Sequence, residues 1–135
     1  MQNGIRFIHV RVFCHVNGGW AVRARGGVTV AVEEVVAGGA YGKTGGWRAG
    51  AALCSPKENF CKRTGRRIAG GRLRTCNVRL SQECDFDDCF GRLVFVEAAV
   101  QAVFGDRLPR WWAEYRFTGF VPQAGSRGVV MMVRG

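Results

Sequence analysis

The sequence predicts an α+β fold: an N-terminal antiparallel β-meander packed by a basic capped helix, a buried core helix and a short C-terminal helix, with a closing hairpin. Three observations predict it. Apolar residues alternate with a period of two near the N-terminus, a central segment opens with a helix-capping signature, and a later segment is apolar almost all round over a helical length. The 135 residues suffice for a single domain, 1–135, that buries its own core without metal or disulfide support.

From Ile5 to Val16, the residues Ile8, Val10, Val12, Cys14 and Val16 alternate with Phe7, His9, Arg11, Phe13 and His15, the pattern of a half-buried strand. Asn17-Gly18-Gly19 marks a turn. Trp20 to Arg25 reads as a second strand, with Trp20, Val22 and Ala24 inward and Arg23 and Arg25 outward. After Gly26-Gly27 a third strand covers Val28 to Val36, and Trp47 to Leu53 forms a fourth; an antiparallel meander is the simplest topology. Between these last two lies Gly38 to Gly46, nine residues with five glycines. Ala37-x4-Gly42-Lys43-Thr44 matches a relaxed phosphate-loop pattern, yet Gly45-Gly46 and strand-like residues follow where such a loop needs a helix N-terminus. The segment reads as a flexible hairpin tip.

Cys54 to Arg74 then reads as a capped helix. Ser55 is a good N-cap, Pro56 stands at the first helical position where a missing N–H costs nothing, and Glu58 completes an S-x-x-E capping box. At about 100° per residue, Phe60, Cys61, Thr64, Gly65, Ile68 and Gly71 share a packing arc, while Lys62, Arg63, Arg66, Arg67 and Arg74 form a charged one. Cys61, Gly65 and Ala69 make a small-residue row that lets the helix backbone lie close against a sheet. Arg72 falls on the packing arc, where its guanidinium needs a carboxylate, carbonyls or a bound anion.

Asp85, Asp87 and Asp88 complement the dipole of a helix running from about Asp88 to Phe104. From Leu93 to Phe104 only Glu97 and Gln101 break its apolar surface, so it is the central core helix or half of an oligomer interface, and Glu97 is a candidate partner for Arg72. Asp106 caps a short helix bearing Arg107, Arg110, Trp111, Trp112, Tyr115 and Arg116. Phe117 to Val121, a turn over Pro122 to Gly128 and Val129 to Val133 close the chain as a hairpin.

Charge points to the class of partner. Twenty Lys+Arg stand against ten Asp+Glu, a net +10, and arginine outnumbers lysine 17 to 3. Arginine forks suit two-point phosphate recognition, although a GC-rich genome yields the same excess. The charge is clustered: Lys57 to Arg79 holds eight basic residues against the single acid Glu58, which favours a local anion site. The second cluster, Arg107, Arg110 and Trp112, pairs arginine with an aromatic ring that can stack on a base.

Several functions are disfavoured. No Ser-His-Asp order or paired carboxylates emerge, so a binding protein is expected and not an enzyme. The six cysteines (14, 54, 61, 76, 84, 89) make no C-x-x-C pair, His9 and His15 lie far from them, and Asp85-x-Asp87-Asp88 lacks the glycine and distal glutamate of a calcium loop. No metal or cofactor is therefore expected, and the cysteines read as small apolar residues of a reducing compartment. The longest apolar run, Leu93 to Val103, is interrupted by Glu97 and Gln101, and the N-terminus lacks a signal-peptide plan, so a cytoplasmic protein with no membrane partner is expected.

The run C-S-P-K-E-x-F-x-K-x-x-G-R-x-I-A-x-G-R over residues 54–72 resembles a motif of small phage and prophage proteins, with Glu58 where that motif carries Asp. Size, strand-then-helix order and arginine usage are also similar to the phage anti-Thoeris signal-sponge proteins. That resemblance implies an anti-defence protein of the bacterial host cytoplasm, which sequesters a small phosphorylated signal such as a cyclic ADP-ribose isomer or cyclic oligonucleotide without cleaving it. It also implies a homo-oligomer whose arginine and aromatic side chains hold pyrophosphate and adenine. The Gly38 to Gly46 loop has no counterpart in that pattern. On charge and location, the candidate ligand-binding residues are Lys57, Arg63, Arg66, Arg67, Arg72, Arg107, Arg110 and Trp112. The alternative is a basic phage inhibitor or accessory protein that engages nucleic acid or an acidic protein surface through the same helix.

Overall fold

The computed structural model describes residues 4–17, 19–36, 44–81, 89–117 and 131–134. The elements in order are β1 (Arg6–Val16), β2 (Gly19–Val36), β3 (Thr44–Asn59), α1 (Lys62–Thr75), β4 (Val78–Leu80), α2 (Cys89–Phe104), two 3-10 turns (Gly105–Arg107 and Arg110–Glu114), β5 (Tyr115–Phe117) and β6 (Met131–Arg134). This is an α+β fold. The strands form one sheet in the order β4-β3-β2-β1-β6-β5, antiparallel throughout except where β6 lies parallel to β1.

Alternation decides which side chains meet which helix. Ile8, Val10 and Val12 of β1, Val28, Val30 and Val32 of β2, and Ala49 and Ala51 of β3 point to one face. There α2 buries Leu93, Phe95, Val96, Ala99 and Val100 against them, with Trp47 edge-on to Phe95 at 6.1 Å between ring centres. Each fully buried Val, Leu or Phe contributes about 1.5–3 kcal/mol, which makes this the main core. As expected, α2 is the core helix, and Glu97 and Gln101 are exposed on its outer side.

On the opposite face α1 packs by close approach. Its Ala69 and Leu73 are buried against Ala31 and Ala52, with Ile5 and Phe7 at the margin. A Cβ placed on Gly50 of β3 would lie 2.5 Å from both the Ala69 carbonyl oxygen and the Leu73 amide nitrogen, and one on Gly65 would overlap the Thr29 hydroxyl. Of the small-residue row at 61, 65 and 69, Gly65 and Ala69 therefore set the helix-to-sheet distance, while Cys61 is exposed ahead of the helix. The packing arc is rotated from the one expected, however: Gly65, Ala69, Gly70 and Leu73 meet the sheet, while Thr64 and Ile68 are exposed. Close backbone contact outweighs burial of the single large apolar residue on the neighbouring flank.

Three expectations are corrected. The second and third strands are one, since β2 runs unbroken through Gly26 (φ 82°) and Gly27 (φ 144°), a bend where the register with β1 slips between Arg11 and Phe13. The helix does not begin at Ser55. Cys54 to Asn59 continue β3, whose residues 55–58 bulge outward between the pairs Cys54–Gly27 and Asn59–Arg25, and the Phe60 amide donates to the Ala24 carbonyl at 2.8 Å. Sheet pairing on both sides of the bulge overrides the capping box; Ser55 Oγ instead accepts from the Lys57 amide at 3.2 Å, and α1 starts at Lys62 without a side-chain cap. Finally, the residues after Asp106 form two 3-10 turns and not a short α-helix, with Pro109 between them. β5 and β6 pair as the closing hairpin requires. The tip of the glycine loop (37–43), Asp85 to Asp88 and the 118–130 segment lie outside the described residues.

Candidate functional site

α1 presents the densest charge on the molecule. Fourteen residues at 1.5 Å rise give an axis of about 21 Å. Along it Lys62, Arg63, Arg66, Arg67 and Arg74 are all exposed. None of these five forms an ion pair or a side-chain hydrogen bond with another described residue, and α1 itself carries no Asp or Glu. Lys57 is exposed on the β3 bulge just before the helix. Arg63, Arg66 and Arg67 thus all face water, close to Lys57 in sequence, with Arg66 and Lys62 on the side of the helix toward His9.

Arg72 behaves differently. β4 covers β3 only at Trp47, Arg48 and Ala49, and beyond that point Arg72 Nη1 donates to the Ala51 carbonyl at 2.7 Å. Its guanidinium lies 5.4 Å from the centre of the Phe104 ring. The partner is a carbonyl and an aromatic face, not Glu97, which is exposed on the outer side of α2. Arg72 then lines a shallow cleft of about 300 Å³ together with Arg107, Trp111, Ser55 and Glu58. Arg107 also donates to the Val103 carbonyl at 2.9 Å. Arg110 is exposed and does not line this cleft. Trp112 packs on the main core, its ring 6.2 Å from that of Trp111 and steeply inclined to it. Seven of the eight candidate residues accordingly divide among the α1 face with its bulge, the edge cleft and the core, and Arg110 stands apart from all three.

Sequence reading assigned no role to a cluster on the β1 side of α1. Phe7, His9 and Arg11 share the α1 face of β1. The His9 ring stacks on Phe7 at 6.5 Å, meets Phe60 edge-on at 6.0 Å, and shares a 3.0 Å hydrogen bond with the hydroxyl of Thr29, a residue 1% exposed. Arg11 lies 4.8 Å over the Phe60 ring and donates to the Arg23 carbonyl at 3.0 Å. Burial, reinforced by Lys62, Arg66 and Arg11, holds the His9 pKa down at about 4, so the ring is neutral at pH 7. The alternation Phe7, His9, Arg11 was the available signal; only the folded chain lays Phe60 over it.

A larger cavity, about 450 Å³, opens on the other flank of α1, between Cys61 just before the helix, Thr64 and Ile68 within it, and Ala52 and Cys54 of β3. Burial pushes the Cys54 thiol up. Hydrogen bonds from the Thr64 hydroxyl and amide pull the exposed Cys61 thiol down, with a smaller contribution from Arg63.

Among the described residues no group of three or more His, Cys, Asp or Glu could hold a metal ion, and no helix is long and apolar enough to cross a membrane. No family model matches the chain, and no characterised protein or solved structure shows significant similarity to it.

Proposed function

We propose that the chain is a non-catalytic binding protein that holds the phosphates of a nucleic-acid strand on the exposed face of α1. The observation that carries this reading is that five cations on one helix stand in water without an ion-pair partner among the described residues. Successive i, i+4 cations are about 6 Å apart along the axis, close to two phosphate steps of one strand. An exposed row of arginines fits an extended polyanion better than a small enclosed anion. The phage-type anti-defence role in the bacterial cytoplasm, implied by the chain's size, element order and arginine usage, is then exerted by occupying a nucleic acid without cleaving it.

One observation favours a second reading. Arg72 and Arg107 converge with Phe104 and Trp111 on the edge cleft, a combination suited to a small phosphorylated signal such as a cyclic ADP-ribose isomer sequestered intact by a homo-oligomer. Titrating labelled single- and double-stranded oligonucleotides and a panel of cyclic nucleotides separates the two. Salt-sensitive oligonucleotide binding that depends on Arg66 and Arg67 supports the surface; salt-tolerant binding of a small nucleotide that depends on Arg72 and Arg107 refutes it in favour of the cleft.

A further inference from the structure

We propose that the 450 Å³ cavity beside the first turns of α1 is a nucleobase pocket, selective for a base with an exocyclic amino group, whose phosphate rests on Arg63 and Arg67. This rests on the phosphate-binding reading of α1 and adds a base-reading site to it.

Size and charge make the case together. The volume falls in the ~300–1,000 Å³ range of small-molecule pockets. Among the described residues no Lys or Arg lines it, whereas Glu58 does, so a phosphate inside would face a carboxylate and apolar walls. The uncharged part of a nucleotide meets no such penalty. Phe60 and Ile68 supply those walls, and Ile68 is 37% exposed, a large apolar side chain left in water on the face of a helix that packs its small residues. The floor is made by Thr29 and Ala52, both buried.

The rim supplies hydrogen bonding. Glu58 and Asn59 are exposed, line the cavity, and make no side-chain hydrogen bond to another described residue. An ionised Glu58 can only accept, and Asn59 both donates and accepts. Adenine and cytosine present an amino donor to such a pair; thymine presents a carbonyl oxygen to the carboxylate and is disfavoured. Arg67 stands one turn from both Thr64 on the rim and Arg63, as residues three and four apart do on a helix. The phosphate therefore stays outside on the cation ledge while the base enters.

The test compares labelled single strands of equal length and charge, all-dA, all-dT and an abasic backbone, each titrated across a salt series, with adenosine monophosphate titrated in parallel. The expected result is a common salt slope for the three strands, with dA bound roughly 10-fold tighter or more than the abasic strand, a base–aromatic contact of ordinary size, and dT between them. Glu58→Gln, a change at an exposed site, should bring dT up to dA without altering the slope. Equal affinity of all three strands with a shared slope overturns the base pocket and leaves the phosphate surface standing. Absence of strand binding overturns that surface; the pocket then survives only if adenosine monophosphate binds and Glu58→Gln weakens its preference over thymidine monophosphate, and falls with it otherwise.

Discussion

Replacing Arg66 and Arg67 together by alanine removes two of the five cations of α1 that have no ion-pair partner among the described residues, while leaving the helix intact. For a single strand, each phosphate neutralised contributes about −0.7 to the slope of log K against log salt, so five contacts predict a slope near −3.5 and the double variant one near −2.1. Between 50 and 200 mM salt the parent should then lose affinity roughly 130-fold and the variant roughly 18-fold; at 0.1 M the two should differ by about 25-fold. Alanine is the best helix former, and the substitution relieves the like-charge pairs Lys62–Arg66 and Arg63–Arg67, each worth about 0.2–0.5 kcal/mol. The thermal midpoint should stay level or rise slightly, which separates lost binding from lost folding. Fluorescence anisotropy with a labelled single strand at four salt concentrations, alongside thermal melts, reads both. Parent and variant slopes that coincide would refute the assignment of phosphate contacts to this face.

Further outcomes follow from the packing and the titrating groups. Gly50→Ala forces a methyl group onto the backbone of Ala69 and Leu73 and should destabilise by about 1–3 kcal/mol or more in urea unfolding, whereas Gly71→Ala, with open space around the new Cβ, should stabilise by up to about 1 kcal/mol. His9 is held neutral in the folded chain, so between pH 6.5 and about 4 the unfolded chain binds the extra proton; the His9 contribution to stability should fall as pH falls across that window, and this component should be absent in His9→Gln. Solvent screening of this partly exposed ring limits the loss to about 1–2 kcal/mol, checked by denaturant midpoints at pH 4 and pH 7.5. Iodoacetamide should alkylate Cys61 well before Cys54, because the first thiol is exposed and stabilised as thiolate by Thr64 and the second is raised by burial; peptide mapping by mass spectrometry reads the order.

What the sequence could reveal depended on whether a signal was local. The alternation in β1 and the apolar length of α2 are properties of each segment alone, and both elements formed as read. Gly26-Gly27 looks the same whether it ends a strand or bends one, and only pairing with β1 and β3 on either side shows the bend. Ser55 to Glu58 satisfies a helix-start pattern, but the backbone on either side, at Cys54 and Asn59, is held by partners some thirty residues earlier, which no local pattern records. Arg72 was legible as a charge on a packing face. Its partner was not, because the free carbonyl of Ala51 exists only where β4 stops short of β3. The cations of α1 were found by density, while the cavity wall that Phe60 and Ile68 make depended on the rotation of the helix.

The small-residue seam beneath α1 has a thermodynamic consequence. Where α2 is anchored by a cluster of thirteen buried residues, the described seam under α1 has four, of which three are alanines. Opening α1 from the sheet therefore exposes far less apolar surface than opening α2, and the helix belongs to the low-energy end of the molecule's local unfolding spectrum. A ligand that engages only the closed form raises that opening energy by RT ln(1 + [L]/Kd), about 2.7 kcal/mol at one hundred times Kd. Amide hydrogens of residues 62–75 should thus exchange faster than those of 93–103 in the free protein, and slow roughly 100-fold on saturation. The seam makes the basic helix a loosely latched element that its own ligand fastens.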